Sequence, residues 1–366
     1  MIEYESLYTS NEIFMDEYKA AFEDVLKSGW FILGKSVKNF EEEFASYCNT
    51  KHCIGVASGL DALTLSLHTL ALPRGSEVIV PSNTYIATIL SIVHLGLKPV
   101  LVEPDIRTYN IDPSKIKEAI TNKTAAIMVV HLYGKCCDME AINKIALENG
   151  LKVIEDCAQS HGATQNGQIC GSFGDFGAFS YYPTKNLGAL GDAGAITTNN
   201  DAYDEKLRKL RNYGSSKKYY NELIGHNSRL HELQAAFLSV KLKKMSLITE
   251  HKRSIADIYF KNISDAYIKP VVDNNYYDVY HIFNIRTTKR DELKAFLLEN
   301  DIKTEIHYPV SPNKQVAMKG ILDNFDTPIA EEIHNTTLSL PISFGHTENE
   351  IQTVCDALNH FASTHL

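Results

Sequence analysis

Lys185 is the side chain around which the chemistry of this sequence can be organised. It follows Phe176–Tyr182, an apolar and aromatic segment with the length and composition of a buried strand. Most lysines lie in solvent, but an ammonium group at the end of a core strand loses hydration, which lowers its pKa. A neutral amine there is a nucleophile toward carbonyl compounds. The reaction that uses such an amine is Schiff-base formation, most commonly with pyridoxal 5'-phosphate (PLP).

A carboxylate follows a second apolar strand. In the stretch Val153–Ala163, Asp156 lies at the strand end, where an unpaired charge is costly. PLP requires such a partner, because a carboxylate that keeps the pyridine nitrogen protonated turns the ring into an electron sink. Gln159 follows three residues later and can donate to the phenolic oxygen of the ring. We therefore predict a PLP enzyme with Lys185 and Asp156 as its catalytic residues.

Several motifs, in this order, resemble those of PLP-dependent nucleotide-sugar aminotransferases, the DegT-like family of the aspartate-aminotransferase fold. The resemblance runs from about Trp30 to about Pro341, and several spaced motifs in one order are more specific than any one of them. Residues 182–194 are most similar to the branch that aminates C3 of 3-keto-6-deoxy sugars carried on dTDP. The motifs are Ser58-Gly-Leu-Asp-Ala-Leu63, Glu155-Asp-Cys-Ala-Gln-Ser-His-Gly-Ala163, Ser180-Tyr-Tyr-Pro-Thr-Lys-Asn-Leu-Gly188, Asn227-Ser-Arg229 and His307-Tyr-Pro309.

The resemblance implies roles for the residues around the cofactor. The amides of Gly59 and Leu60, at the start of a helix capped by Ser58, would bind the PLP phosphate, as free helix amides do. Tyr85 would stack on the pyridine ring, and Ser180 would be a further cofactor contact. Asn227 would reach the phosphate of the partner subunit's PLP, which makes the protein a homodimer with shared active sites. From the residues alone, a capped core helix without a ligand and simple packing of Tyr85 remain open.

The substrate side of the site is predicted with less specificity. Tyr182, Arg229, His307 and Tyr308 are the candidates, since arginine suits a carboxylate or diphosphate and polar groups at a loop edge suit sugar oxygens. Arg211 is a further candidate for anion binding. Ordinary hydrogen bonding of His307 and Tyr308 remains an alternative. Residues 310–315, Val-Ser-Pro-Asn-Lys-Gln, depart from the family pattern, which weakens any sugar assignment taken from this loop.

The reaction implied is a two-stage transamination. L-glutamate would give its amino group to the cofactor and leave as 2-oxoglutarate. The amine would then pass to dTDP-3-keto-6-deoxyhexose of galacto or gluco configuration, giving the dTDP-3-amino-3,6-dideoxyhexose used in glycans such as O-antigens. A UDP-linked 3-keto uronic acid and a 4-keto sugar remain alternative substrates.

Three other classes of protein fit the sequence less well. Sugar dehydratases of the same fold carry histidine where this chain has Lys185. A PLP decarboxylase or aldolase would lack the Asn227 and His307-Tyr308-Pro309 motifs. A non-catalytic protein that binds the nucleotide sugar would need none of Lys185, Asp156 and Gln159. We therefore favour the aminotransferase.

Composition limits the class and location of the protein. The chain has 366 residues, 44% of them apolar and 22% charged, which is ordinary for a globular enzyme. It has no apolar run long enough for a membrane span and no secretory signal at Met1, so we expect a cytoplasmic protein without membrane partners. The net charge of −9 disfavours nucleic acid. Seven cysteines without metal-ligand spacing predict reduced core residues, with neither disulfides nor a metal site.

The pattern of elements predicts an α/β fold of the type I PLP-transferase class. Apolar strands alternating with helices indicate a mainly parallel sheet covered on both faces, with ligands at the carboxyl ends of the strands. The predicted strands are 53–57, 77–81, 98–102, 125–130, 152–155, 178–181 and 195–198. We expect a large PLP-binding domain over 1–250 and a small α+β domain over 251–366, with strands at 280–286 and 306–309 and a helix at 290–299.

Overall fold

The computed structural model of the protein describes all residues, 1–366. A seven-stranded sheet forms the centre of the molecule. The helices are α1 Leu7–Asn11, α2 Met15–Ser28, α3 Lys35–Tyr47, α4 Gly59–Leu70, α5 Ile86–His94, α6 Pro113–Ala119, α7 Met139–Asn149, α8 Asp201–Leu210, α9 Glu232–Leu242, α10 Met245–Asn262, α11 Arg290–Glu299, α12 Pro328–Thr336 and α13 Glu348–His365.

The central sheet has the order β1-β9-β8-β5-β4-β2-β3. Only β9 runs against its neighbours, so the sheet is mainly parallel, as the sequence predicts. The strands are β1 His52–Val56, β2 Glu77–Pro81, β3 Lys98–Val102, β4 Thr124–Val130, β5 Lys152–Asp156, β6 Thr164–Gln165, β7 Gln168–Ile169, β8 Phe176–Ser180, β9 Gly194–Thr198, β10 Ser215–Lys217, β11 Tyr220–Asn221, β12 Tyr276–Tyr277, β13 Phe283–Arg286 and β14 Thr337–Leu340.

The sheet is buried on both faces because the central positions of its strands are mostly apolar. In β4, Ile127 and Val129 enter one hydrophobic cluster while Ala126 and Met128 enter another, as the two-residue period of a strand requires. Helices cover each face, which is the arrangement that continuous apolar strands need. The α/β fold class predicted from the sequence is therefore confirmed.

The C-terminal part has its own core around the antiparallel pair β13 and β14, packed against α10, α11 and α13. We propose that the two domains meet near residues 250/251. The chain is not interrupted there, because α10 runs across this position. The first residues also belong with this part: Ile2 pairs with Ile302, Glu3 forms an ion pair with Lys303, and the Glu3 carbonyl is 2.9 Å from His346 Nε2. We call residues 1–6 the N-terminal arm.

One predicted strand is wrong. Residues 306–309 form no strand, and pairing there is limited to an isolated bridge between Glu305 and Ser339. The backbone carbonyls of His307 and Tyr308 instead accept hydrogen bonds from the Tyr133 hydroxyl and from His334 Nδ1. Pro309 has no N–H to donate, so a ladder cannot continue past it. No helix of the protein is both long and apolar enough to cross a bilayer.

Candidate active site

A cavity of about 550 Å³ lies at the carboxyl ends of β2, β5 and β8. This is where ligands bind in open α/β sheets. Ten of the twelve residues predicted for the site line it, although they come from segments up to 249 positions apart in the chain (59 to 308). They are Gly59, Leu60, Tyr85, Asp156, Gln159, Ser180, Tyr182, Lys185, His307 and Tyr308.

Lys185 lies in a tight turn after β8. Its backbone N–H donates to the Tyr182 carbonyl at 2.8 Å. The Ala189 N–H donates to the Tyr181 carbonyl at 2.8 Å, which brings the chain back beside the end of β8. Burial lowers the pKa of Lys185 to about 8, against the opposing charges of Asp156 and Glu5. A substantial fraction of the amine is therefore neutral in mildly alkaline solution, as the sequence predicts for a nucleophilic lysine.

Asp156 is the last residue of β5, and two donors hold its carboxylate. Thr88 Oγ1 donates to Oδ2 at 2.9 Å, and the Ala158 N–H donates to Oδ1 at 3.1 Å. Burial raises the pKa of Asp156, and these hydrogen bonds together with the charge of Lys185 oppose that rise. A buried, hydrogen-bonded carboxylate is the kind of group that can hold a proton on a pyridine nitrogen.

Thr88 is a site residue that the sequence analysis missed. It is 1% exposed and lies in the first turn of α5, where its hydroxyl is 2.8 Å from that of Thr84. The two hydroxyls and the Asp156 carboxylate form a continuous chain of hydrogen bonds. The only signal in the sequence is two threonines at a spacing of four at the start of a helix, which places them on one face but names no partner.

Gln159 is buried and uses both ends of its amide. Its oxygen accepts from the Tyr133 N–H at 2.6 Å, and Nε2 donates to the Tyr308 hydroxyl at 2.9 Å. The Tyr308 ring in turn lies 5.2 Å from that of Tyr85, which is half exposed at the mouth of the cavity. Gln159 therefore orients an aromatic pair that borders the space next to Asp156.

The start of α4 forms the opposite wall. Ser58 Oγ accepts from the Asp61 N–H at 3.1 Å and caps the helix, so that Gly59 and Leu60 contribute its first amides. Gly59 lies so close to β8 that a Cβ atom there would be 2.5 Å from the Ser180 Cβ. A helix start of this kind, without a side chain at its first position, gives a small anion close access to backbone N–H groups.

Two histidines complete the wall on the C-terminal side. His307 Nδ1 lies 2.9 Å from Ser339 Oγ, and burial lowers the pKa of His307 to about 4. Burial likewise lowers the pKa of His281, which the sequence analysis did not select as a site residue. Both rings are therefore neutral near pH 7 and serve as hydrogen-bonding groups rather than as cations.

The remaining two predicted residues do not line the cavity within one chain. Asn227 pairs with Asn212 in the backbone. Arg229 donates to Asn212 Oδ1 at 3.1 Å and lies over the Tyr213 ring, 5.4 Å from its centroid. Arg211, the further candidate for anion binding, is instead held in a buried ion pair with Glu41.

A second group of potential metal ligands lies beside β5. His131 is buried with Glu155, Cys136, Cys157 and Cys170, and these side chains come within 4.8 Å of one another in two sets of three. His131 Nε2 is hydrogen-bonded to Glu155 at 2.9 Å, and Nδ1 accepts from a backbone N–H at 3.0 Å. Glu155 also accepts from three backbone N–H groups. We interpret the cluster as a hydrogen-bonded core rather than a metal centre.

Comparison with known proteins identifies the family of the chain. The model of the DegT/DnrJ/EryC1/StrS aminotransferase family matches residues 13–359. The chain is 52% identical over 362 residues to the dTDP-3-amino-3,6-dideoxy-alpha-D-galactopyranose transaminase of Aneurinibacillus thermoaerophilus, with 99% of each chain covered.

Two solved structures are also similar. DesV of S. venezuelae, in complex with a ketimine intermediate, superimposes with a TM-score of 0.95 at 41% identity and with 98% and 97% of the two chains covered. NtdA of Bacillus subtilis, with bound cofactor PMP, gives 0.90 at 31% identity, covering 96% of this chain and 82% of that one. The family model spans nearly the whole sequence, and the protein belongs to the DegT/DnrJ/EryC1/StrS aminotransferase family.

Proposed function

We propose that the protein is a PLP-dependent aminotransferase that transfers the amino group of L-glutamate to C3 of a dTDP-linked 3-keto-6-deoxyhexose. The products are 2-oxoglutarate and a dTDP-3-amino-3,6-dideoxyhexose. The observation that carries the proposal is the convergence of Lys185 and Asp156 on one cavity. The galactose-configured product of the 52% identical relative favours the galacto substrate over the gluco substrate.

The cavity fits PLP at each part of the cofactor. The wall formed by Gly59, Leu60 and Ser180 suits the phosphate, and Asp156 suits the pyridine nitrogen. The carbonyl carbon would be held by Lys185 Nζ, and the ring would lie beside Tyr85. When bound, PLP supplies the electron sink for breaking the bond to hydrogen at the α-carbon of the amino donor.

The chain's own residues then have separate tasks. With the cofactor bound, Lys185 Nζ would be the base that takes the proton from the donor's α-carbon, a task for which an amine with a lowered pKa is suited. Asp156 would keep the pyridine nitrogen protonated, and the Thr88 hydroxyl holds the Asp156 carboxylate in place. Gln159 keeps Tyr308 in place beside the ring.

The substrate side is proposed from the open half of the cavity. Tyr182 is 51% exposed at its mouth, where it can contact the sugar. His307 and Tyr308 are neutral donors or acceptors near pH 7 and suit the sugar hydroxyls. Arg229 would serve the diphosphate from a neighbouring subunit, together with Asn227.

We further propose a homodimer with shared sites. Large apolar side chains are exposed on and after α2: Phe22 at 43%, Leu26 at 48%, Trp30 at 62% and Phe31 at 48%. Such a group is more than the scattered apolar side chains of an ordinary surface. A second copy is the occupant that would also bring Asn227 and Arg229 to a cavity. The seven buried free cysteines fit a reducing compartment, and we propose the cytoplasm.

The test is a substrate panel. Purified protein with PLP and L-glutamate is incubated with dTDP-3-keto-6-deoxygalactose, its gluco epimer, a dTDP-4-keto sugar and a UDP-3-keto uronic acid, and products are identified by mass spectrometry. We expect amination of the first substrate and none in the Lys185→Ala variant. Exclusive amination of the 4-keto or the UDP-linked sugar would contradict the substrate assignment. Amination of none would contradict the activity.

A further inference from the structure

Lys252 is a buried lysine that the proposed reaction does not use. It lies on α10 and is 4% exposed, yet a lysine is almost never fully buried unless it is paired. Its Nζ donates to Asn186 Oδ1 at 2.9 Å and to the His281 carbonyl at 3.1 Å. It forms no ion pair with a carboxylate, although the charge of Glu5 acts on it. The two acceptors therefore supply the direct hydrogen bonds of this buried ammonium group.

Both acceptors belong to segments that form the wall of the cavity. Asn186 directly follows Lys185, and its Nδ2 donates to the Val279 carbonyl at 3.1 Å. His281 itself lines the cavity. One ammonium group thus ties the turn that carries Lys185 to the segment 279–281 of the C-terminal part.

The charges around the two lysines support an electrostatic link. The pKa of Lys252 is lowered to about 8, chiefly by burial; Glu5 of the N-terminal arm opposes this, and the positive charges of Lys241 and Lys185 contribute to it. The interaction between two like charges is mutual, so Lys252 also disfavours a proton on Lys185. The other titratable groups that face Lys185 are Asp156, Glu5, His161, His281 and His307.

We propose that Lys252 is a positioning residue for Lys185. Its ammonium group fixes the Lys185–Asn186 turn through Asn186 and adds a positive charge near the reactive amine, which favours the neutral, nucleophilic form. The inference rests on the role proposed for Lys185, but not on the identity of the sugar.

The test measures the amine directly, in the full-length protein without PLP and without substrate. Acetic anhydride labels each lysine in proportion to its neutral fraction, and peptide mass spectrometry follows the labelling of Lys185 across a pH series. We expect Lys252→Met to move the midpoint for Lys185 upward by about one pH unit, the effect of removing a nearby like charge. Lys252→Arg, which keeps the charge, should leave the midpoint near that of the unsubstituted protein.

Two further variants keep the result interpretable. Lys252→Gln removes the charge but retains a hydrogen-bond donor, and it replaces Lys252→Met if that variant does not fold. Lys241→Met is the matched control, because Lys241 is equally buried but its Nζ contacts Asn11 instead of the Lys185 turn. An unchanged midpoint in the charge-removing variants, or an equal shift in Lys241→Met, would overturn the proposal. Failure of the sugar panel with a positive labelling result would leave this inference standing.

Discussion

Burial lowers the pKa of Lys185 and raises that of Asp156, so it favours the neutral form of each group. For Lys185 this shift is useful, because the neutral amine is the nucleophile. For Asp156 it is opposed by the donors Thr88 and Ala158, which favour the carboxylate. The same apolar surroundings therefore serve two different tasks, and the difference is made by two hydrogen bonds.

The lowered pKa of Lys185 predicts a pH-dependent effect on stability. In the unfolded chain a lysine has a pKa of about 10.4, whereas in the folded protein that of Lys185 is about 8. Below pH 8 both states hold the proton, and the folded state bears the full cost of burying it. As the pH rises above that value, only the unfolded state keeps the proton, so the folded state gains stability.

The Lys185→Met variant, without PLP, should therefore be more stable than the unsubstituted protein at pH 7, and its advantage should shrink toward pH 10. Urea unfolding of both proteins at several pH values gives this difference. Most other groups that titrate in this range are common to both proteins, so their effects largely cancel; Lys252, whose pKa responds to the charge of Lys185, is the exception. A difference in the free energy of unfolding that stays constant with pH would contradict the lowered pKa of Lys185.

Thr88 gives a second prediction at this scale. Thr88→Val keeps the shape of the side chain and removes the donor to Asp156, and a hydrogen bond to a charged group is worth about 1.5–3 kcal/mol. We expect kcat to fall about tenfold or more with little change in the KM for glutamate, and Thr88→Ser to restore most of it. Steady-state kinetics measure this, and equal losses in both variants would argue for a packing role instead.

The sequence identified Lys185 and Asp156 because each is a charged residue at the end of an apolar strand. It did not identify Thr88 or Lys252, because a threonine within a helix and a lysine on a charged helix look the same whether or not they are buried. Their partners lie 68 and 66 positions away in the chain, and such contacts depend on tertiary packing that has no local signature.

At the scale of elements, the start of α4 is fixed by its approach to β8. Gly59→Ala would place a Cβ atom 2.5 Å from the Ser180 Cβ, so the helix start must move. Overpacking of this kind costs about 1–3 kcal/mol, and we expect the Kd for PLP to rise roughly tenfold. Equilibrium titration with PLP, followed by its visible absorption, measures this. Unchanged affinity in a folded variant would show that the phosphate is bound elsewhere.

The seven strands of the central sheet were predicted to within two residues, because apolar runs are local signals. The strand predicted at 306–309 was wrong for the opposite reason. Ile306–Pro309 has an apolar and aromatic composition that suits a strand, but its carbonyls are taken by Tyr133 and His334, which come from other elements. Segments that line a cavity are where local patterns and tertiary contacts conflict most.

At the scale of the whole molecule, the cavity of one chain is not lined by Asn227 and Arg229, which we propose are contributed by a second subunit. Lys185→Ala and Asn227→Asp should each be inactive alone, the second because a carboxylate repels the cofactor's phosphate. In a hybrid dimer of the two variants, one cavity combines an intact Lys185 with an intact Asn227. Coexpression should therefore restore activity to about a quarter of that of the unsubstituted protein, from the statistics of random pairing in a two-fold dimer.

Differently tagged subunits allow the hybrid to be purified and assayed by itself. Activity in the hybrid, and none in either parent, is the expected outcome. An inactive hybrid that is nevertheless a dimer would mean that each cavity is completed by its own chain. The fold class was predictable, since alternating strands and helices determine it, whereas the proposed contribution of a partner subunit has no trace in one chain's hydrophobic pattern.

The N-terminal arm has a practical consequence for work with this protein. Residues 2–5 attach the start of the chain to Ile302, Lys303 and His346, and bring Glu5 toward Lys185, whereas Leu366 is an exposed residue after the end of α13. An affinity tag attached upstream of Met1 could therefore displace the N-terminal arm and with it Glu5, whose charge acts on Lys185. Affinity tags should therefore be placed at the C-terminus, and variants whose rates are compared should have the same N-terminal residues.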